Sequence, residues 1–283
     1  MIHMKIAVAS GKGGTGKTTV AVNLALTLGE CTLVDCDVEE PNCALFLDAN
    51  MEKEEDVTLP VPTFDLDKCT YCGKCADFCM YNAIAVFPEK LMFFPDICQS
   101  CGGCEIICPV DAVGEEQRKI GEIDRGKVED LTIFQGRLEI GEPLATPIIR
   151  RVKTFVTGEP LVIYDAPPGT ACPVIETIKE SDFTLLVTEP TPFGLHDLKL
   201  AVEVVRGMEI PFGVVINRDG AGDDRVLDYC NEEGIEVIMR IPQDRRIAEL
   251  YSRGIPFTTE LGEYREMFTS AYEHMVDMAG VSQ

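Results

Sequence analysis

Eight of the thirteen cysteines stand in two groups with the same internal spacing. In each group three cysteines are separated by two residues, and a fourth follows three residues later. The first group is Cys69, Cys72, Cys75 and Cys79, and the second is Cys98, Cys101, Cys104 and Cys108. The short spacing lets one tight loop turn three thiolates toward a single metal centre. Two such groups predict two thiolate-ligated metal centres in a reducing compartment, and not a disulfide network.

The two groups lie in an internal repeat, because residues 67–84 align with residues 96–113. This double run resembles that of bacterial ferredoxins with two 4Fe-4S clusters, and the resemblance implies that each fourth cysteine binds the other group's cluster. The implied ligands are Cys69, Cys72, Cys75 and Cys108 for the first cluster and Cys98, Cys101, Cys104 and Cys79 for the second. Zinc is the alternative occupant, although zinc sites rarely repeat four-cysteine runs with exchanged fourth ligands.

A phosphate-binding pattern, G-x-x-x-x-G-K-S/T, lies at residues 11–18. Its glycines let successive backbone N–H groups point into an anion-sized hollow, and the following helix adds its N-terminal dipole. Lys17 is expected to reach the β- and γ-phosphates of ATP, and the Thr18 hydroxyl is expected to hold Mg²⁺. The predicted nucleotide contacts of this loop are Gly11, Gly13, Gly14, Thr15, Gly16, Lys17, Thr18 and Thr19.

A second lysine inside the loop, Lys12, makes the motif resemble the deviant Walker A of one ATPase family. That family includes MinD, ParA, the Mrp-type cluster carriers and the nitrogenase iron protein. The resemblance implies an ATP-dependent homodimer in which Lys12 reaches the nucleotide of the partner subunit. It also implies a P-loop ATPase that hydrolyses ATP with Mg²⁺.

Two further blocks extend this resemblance. Residues 34–37 look like the family's DxD motif, which implies that Asp37 positions the attacking water and that Asp35 lies near the metal. Residues 161–170 look like its Walker B and switch II, which implies that Asp165 holds Mg²⁺ through water. The implied catalytic residues are Lys12, Lys17, Asp37 and Asp165, and the implied Mg²⁺ site is Thr18, Asp35 and Asp165. The implied adenine contacts are Asn217, Arg218, Pro242 and Asp244.

Five cysteines lie outside the two groups. Cys31 and Cys230 are interpreted as small buried hydrophobic residues, and Cys36 and Cys43 have no predicted role. Cys172 lies seven residues after Asp165, the offset of a subunit-bridging cluster ligand in the nitrogenase iron protein. A bridging third cluster is therefore one alternative for Cys172, although that protein's second ligand has no counterpart here, and a redox or metal contact is another. The C-terminal CxxC of the Mrp-type carriers is also missing.

Short apolar runs alternate with helical patterns over most of the chain. Strands are predicted over residues 4–9, 32–37, 131–134, 137–140, 161–165, 183–188, 212–217 and 237–241, and helices over 17–28 and 262–279. Residues 51–63 are polar and contain prolines, which predicts a linker. The expected fold is an α/β P-loop NTPase with a mostly parallel sheet, built from residues 1–63 and 114–283. A small α+β ferredoxin-like domain, residues 64–113, is expected to be inserted into it.

Composition limits the function classes. Among 283 residues, 48 acidic and 25 basic residues give a formal charge of −23, so a nucleic-acid partner is not expected. No apolar stretch approaches the roughly 20 residues of a membrane span, so no membrane partner is expected either. The chain starts without a signal-peptide pattern, and Met4 is as good a start as Met1. These features predict a cytoplasmic protein.

Three functions remain open. The first is nucleotide-gated electron transfer through the two clusters to an unidentified redox protein. The second is ATP-dependent assembly or delivery of an iron–sulfur or other metallocofactor to an acceptor protein. The third, spatial regulation as by MinD, is disfavoured because the C-terminal segment lacks the basic amphipathic helix that membrane binding needs.

Overall fold

The structure, a computed structural model, describes residues 3–281. Its strands are β1 Met4–Ala9, β2 Thr32–Asp35, β3 Glu52–Phe64, β4 Ile84–Phe87, β5 Lys90–Phe93, β6 Val113–Val128, β7 Leu131–Leu138, β8 Leu161–Asp165, β9 Phe183–Thr188, β10 Phe212–Asp219 and β11 Val237–Pro242. Its α-helices are α1 Lys17–Leu28, α2 Cys43–Leu47, α3 Lys74–Phe78, α4 Gly103–Ile106, α5 Thr146–Thr154, α6 Cys172–Ile178, α7 Pro192–Gly207, α8 Arg225–Glu232, α9 Arg245–Tyr251, α10 Phe257–Glu260 and α11 Gly262–Ala279. None of the described helices is both long and apolar enough to cross a membrane.

Nine strands form one sheet in the order β11-β10-β9-β1-β8-β2-β7-β6-β3. The strands from β11 to β7 are parallel, whereas β6 and β3 are antiparallel to their neighbours. The central strands β1, β2 and β8 are buried except at Lys5, because helices cover both faces of the sheet. The α/β fold with a mostly parallel sheet is therefore confirmed.

Each face of the sheet carries its own hydrophobic core. In β1, Ile6 and Val8 point toward the core that contains α1 and α11, whereas Ala7 and Ala9 point toward the core that contains α5 and α7. The predicted helices over 17–28 and 262–279 are confirmed. Cys31 and Cys230 are buried in the two cores, as predicted.

The predicted linker over residues 51–63 is wrong, because this segment is the edge strand β3 and pairs along its length with β6. Charged residues and prolines are typical of edge strands, where a missing N–H costs little on the unpaired side. Pro60 and Pro62 are therefore compatible with the strand. The two short strands predicted over 131–140 are one strand, β7, in which Gly136 makes room for the side chains of Val38 and Ile148.

A long antiparallel ribbon of β3 and β6 leaves the sheet at its carboxyl edge. The last β6–β7 pair is Gly121 with Leu138, and β7 runs parallel to β2, so the earlier residues of β6 lie beyond the edge where β2 ends. Residues 113–120 continue paired with β3 alone and reach roughly 25 Å past this edge. The ribbon ends at the pair Phe64–Val113.

The cysteine-rich segment, residues 65–112, closes the tip of this ribbon and contributes no strand to the nine-stranded sheet. It contains α3, α4 and the hairpin β4–β5. Left-handed backbone conformations recur at the repeat spacing, with φ of 52° at Tyr71 and 53° at Ser100, and 80° at Gly73 and 69° at Gly102. The internal sequence repeat is thus also a repeat of backbone conformation.

Candidate nucleotide site and cysteine-lined cavities

The loop between β1 and α1 has the glycine-dependent shape that phosphate binding needs. Gly14 and Gly16 have φ of 81° and 90°, a region that side chains disfavour. A Cβ on Gly16 would lie 2.2 Å from Asn217 Nδ2, and one on Gly11 would lie 2.1 Å from the carbonyl oxygen of Asp197. The glycines therefore permit both the loop conformation and its close contact with neighbouring elements.

Asp165 is the centre of the polar contacts beneath this loop. It ends β8, where it is fully buried, and its carboxylate accepts hydrogen bonds from Lys17 Nζ at 3.2 Å and Thr18 Oγ1 at 2.6 Å. Burial alone would lower the pKa of Lys17, but the charges of Asp165, Asp37 and Asp35 outweigh it and raise that pKa. Lys17 is therefore a buried, protonated ammonium facing the loop.

Asp35 shapes the turn that follows β2. Its carboxylate accepts backbone hydrogen bonds from Asp37 at 3.0 Å, Asn42 at 2.8 Å and Cys43 at 2.9 Å. Burial, and then the nearby charge of Asp165, raise the pKa of Asp35. These bonds turn the chain at once, so the strand predicted through residue 37 ends at Asp35. Asp37 lies just after the turn, and burial raises its pKa to about 6.

Cys43 is a residue of this site that sequence reasoning missed. Its Sγ lies 3.4 Å from Asp165 Oδ2, and one ligand atom from each of Asp35, Cys43 and Asp165 lies within 4.8 Å of the others. Burial raises the pKa of Cys43 well above its usual value, so the thiol stays protonated and donates to Asp165. The one sequence signal for Cys43 is its position eight residues after Asp35, at the end of the turn.

A cavity of about 390 Å³ opens beside the loop. Two residues of the loop, Gly11 and Thr15, do not line this cavity. The carboxylates Asp35 and Asp165 do not line it either. The other predicted residues that line it are Lys12, Gly13, Gly14, Gly16, Lys17, Thr18, Thr19, Asp37, Asn217, Arg218, Pro242 and Asp244. Its far end is apolar, where the rings of Phe46 and Tyr251 stand 5.4 Å apart.

Three of the four predicted adenine contacts already have partners within the chain. Asn217 Nδ2 donates to the carbonyl oxygen of Thr15 at 2.8 Å, which ties β10 to the loop. Arg218 pairs with Glu189 at 2.6 Å. Asp244 caps α9 and accepts a hydrogen bond from the Tyr264 hydroxyl at 2.9 Å. These contacts fix the three side chains in the wall of the cavity.

Lys12 lies at the mouth of the cavity. Its Nζ is 3.9 Å from Asp197 Oδ2, at the limit of an ion pair, and its side chain is 32% exposed. Such a pair contributes little to stability, so the Lys12 ammonium can be redirected at small cost.

Two further cavities lie in the cysteine-rich segment, and each is lined by four cysteines. The fourth cysteine of each group lies beside the three of the other group. The first cavity is lined by Cys69, Cys72, Cys75 and Cys108, and the second by Cys79, Cys98, Cys101 and Cys104. Cys172 lines neither cavity and is exposed at the start of α6.

The cysteine environments suit thiolate ligands. Backbone N–H groups donate to the sulfur of four cysteines at matched positions of the repeat. The bonds run from Tyr71 to Cys69 at 3.4 Å, Ser100 to Cys98 at 3.4 Å, Ala83 to Cys79 at 3.3 Å and Ala112 to Cys108 at 3.3 Å. Such bonds stabilise negative charge on sulfur, so the donor set fits two four-thiolate clusters.

Comparison with known proteins adds the family. A protein of Methanocaldococcus jannaschii described as uncharacterised is 32% identical over 260 residues, which are 90% of this chain and 91% of that protein. An iron-sulfur cluster carrier protein of Pyrococcus horikoshii is 27% identical over 276 residues, 89% of this chain and 78% of that protein.

A solved structure shows the same fold. The septum site-determining protein MinD of Pyrococcus horikoshii, in complex with Mg-ADP, superposes with a TM-score of 0.62 at 19% identity, over 99% of this chain and 98% of that chain. Residues 6–257 match the family described as the CobQ/CobB/MinD/ParA nucleotide binding domain. The chain therefore belongs to this family of P-loop ATPases.

Proposed function

We propose that the protein binds and hydrolyses MgATP and that its nucleotide state controls electron transfer through two 4Fe-4S clusters in the cysteine-rich segment. The observation that carries the proposal is the pair of cavities, each lined by four cysteines. The ribbon that bears them leaves the sheet at the carboxyl edge, where the phosphate loop also lies. In this proposal residues 64–113 act as an inserted ferredoxin-like domain.

Each polar group around Asp165 would have its own role in MgATP binding and hydrolysis. The Thr18 hydroxyl and the Asp165 carboxylate, now 2.6 Å apart, would share Mg²⁺, with Asp35 holding the adjoining turn. The Lys17 ammonium would face the β- and γ-phosphates and offset the charge that develops there. Asp37, which lines the same cavity, would orient the attacking water.

The residues of the cysteine repeat would hold the two clusters. The clusters would supply one-electron redox chemistry. The chain would hold them through the two sets of four cysteines and would lower the cost of added negative charge through the backbone N–H bonds to sulfur. The exposed positions of Cys72 and Cys101 place one edge of each cavity at the surface, where an electron can leave for an acceptor protein.

Helix α5 provides a path between the two halves. Lys153 Nζ donates to the carbonyl oxygens of Glu176 at 2.8 Å and Thr177 at 3.1 Å, which lie in the last turn of α6. Helix α6 directly follows the loop after Asp165. On its other side, Arg151 forms two hydrogen bonds with Glu55 of the ribbon, at 3.0 and 2.6 Å. A nucleotide-dependent shift of that loop would therefore pass through α6 and α5 to the ribbon.

Charge reversal at the contact between α5 and the ribbon tests this path. We expect Arg151→Glu to keep ATP hydrolysis and both clusters, because the pair is exposed and lines neither the nucleotide cavity nor the cysteine cavities, but to weaken the effect of MgATP on cluster reduction. Adding Glu55→Arg should restore the effect. The control is Arg225→Glu, which disrupts a pair with Asp223 elsewhere on the surface. If MgATP affected cluster reduction in Arg151→Glu as strongly as in wild type, α5 would not couple the nucleotide site to the ribbon.

The direct test of the proposal is anaerobic purification with iron and sulfide analysis and EPR spectroscopy. We expect about eight iron and eight sulfide per chain and a signal from two interacting reduced clusters. Bound zinc without sulfide would overturn the cluster assignment.

Delivery of iron–sulfur clusters is the second candidate function, and it is favoured by the description of the relative from Pyrococcus horikoshii as an iron-sulfur cluster carrier protein. Incubation of the loaded protein with an apo-ferredoxin and ATP separates the two candidates. Transfer of iron and sulfide to the apo-protein would support delivery, whereas retained clusters that pass only electrons would support the primary proposal.

A further inference from the structure

Ser100 carries a buried hydroxyl without a hydrogen-bond partner. Its Oγ is shielded from solvent, and no described residue from 3 to 281 accepts from it or donates to it. Ser100 lines the second cysteine cavity, between the ligand positions Cys98 and Cys101. A buried unpaired hydroxyl is costly, so its presence here points to an acceptor inside the cavity.

The matching position of the first cavity differs only in its side chain. Tyr71 has nearly the same φ as Ser100, 52° against 53°, and each donates its backbone N–H to the sulfur of the cysteine two residues earlier. The tyrosine hydroxyl stands at the far end of a ring, whereas the serine hydroxyl stands on Cβ. Thr70, the other hydroxyl beside the first cavity, is exposed to solvent.

We infer that the Ser100 hydroxyl donates a hydrogen bond to a sulfur atom of the second cluster and raises the reduction potential of that cluster. The inference rests on the proposed function, since it requires the clusters. Reduction adds one electron to the cluster and no covalent bond changes, so the proton stays on Ser100 Oγ. A donor to sulfur stabilises the more negative, reduced state more than the oxidised state.

Charged groups near the cavities also shift the potentials, because a carboxylate disfavours reduction of a nearby cluster whereas an ammonium favours it. Glu115 lines the second cavity, with Oε1 3.4 Å from where a Cβ of Gly102 would lie, and Lys74 lines the first. Both side chains are exposed, so water screens them. The contribution of Ser100 is therefore measured by removing its hydroxyl and not by comparing the two clusters with each other.

The test is an EPR-monitored redox titration of the full-length, cluster-loaded protein. We expect Ser100→Ala to lower the midpoint potential of one cluster and to leave the midpoint potential of the other cluster unchanged. The expected decrease corresponds to a roughly three- to tenfold change in the reduction equilibrium of that cluster. A tenfold change corresponds to about 59 mV for a one-electron couple. Ser100→Thr retains a hydroxyl and should titrate close to wild type, and Tyr71→Phe is the matched control that should change neither midpoint.

A second readout follows the proton itself. Electron–nuclear double resonance of the reduced protein in H₂O and D₂O should show one exchangeable, cluster-coupled proton fewer in Ser100→Ala than in wild type. If Ser100→Ala held two clusters with the midpoint potentials and proton couplings of wild type, the inference about Ser100 would be overturned and the proposed function would stand. Protein that binds fewer than two clusters would contradict the proposed function, and this inference with it.

Discussion

A chain in which Cys69 and Cys108 are both replaced by alanine is expected to keep one cluster, with about four iron atoms per chain. The two residues lie at opposite ends of the cysteine-rich segment, but they line the same cavity. Their joint loss therefore removes ligands from the first cluster only. The second cavity retains all four of its cysteines, and its cluster should remain reducible and visible by EPR.

The matched variant replaces Cys69 and Cys79, which are ten residues apart in one sequence group but line different cavities. This pair is expected to remove one ligand from each cluster, so that neither assembles fully. Iron and sulfide analysis of both double variants decides between the assignments. If the Cys69/Cys79 variant kept four iron atoms and the Cys69/Cys108 variant kept none, each group would bind its own cluster, and the exchanged ligand sets would be wrong.

Replacement of Lys17 by alanine is expected to slow ATP hydrolysis by roughly 10²- to 10³-fold. Its ammonium is buried and kept protonated by Asp165, Asp37 and Asp35, and Lys17 lines the nucleotide cavity. Steady-state phosphate release at saturating MgATP measures the effect. Lys199→Ala is the control, because that lysine is exposed on α7, where it contacts the ring of Tyr229. A Lys17→Ala rate above one tenth of wild type would contradict the role given to Lys17.

Mixing two inactive variants extends this prediction to Lys12. If Lys12 acts on the partner's nucleotide, Lys12→Ala alone should bind ATP but hydrolyse it slowly. In a mixed dimer with Lys17→Ala, the intact Lys12 of one subunit would serve the intact Lys17 site of the other. An equal mixture should then recover about a quarter of wild-type activity. No recovery from two inactive variants would show that Lys12 acts on the nucleotide of its own subunit.

The phosphate loop, Asp165 and the cysteine groups could be predicted from the sequence because each depends on local spacing. Gly16 and Lys17 follow from a fixed motif, and the end of β8 at Asp165 follows from an apolar run that ends in a carboxylate. The cysteine cavities depend on short loops in a repeat of 29 residues. In these cases the residues of each motif lie close together in sequence, although Lys17 and Asp165, and Cys69 and Cys108, meet only in the fold.

The ribbon and the role of Cys43 could not be predicted in the same way. Residues 52–64 form a strand only because residues 113–128 pair with them, and an exposed edge strand shows no regular alternation of apolar residues. Cys43 reaches Asp165 only after the Asp35 carboxylate has turned the chain, which is a tertiary effect. The link through Arg151 and Glu55 joins positions 96 residues apart.

The central claim, that nucleotide state controls the clusters, is tested most directly by the rate of electron delivery. Dithionite-reduced protein, freed of excess reductant, is mixed by stopped flow with a one-electron dye in the presence of MgATP, MgADP or no nucleotide. We predict that MgATP changes the rate by about fivefold or more relative to MgADP, and that Lys17→Ala abolishes the difference. Equal rates under all three conditions, in protein that holds both clusters and hydrolyses ATP, would contradict the account.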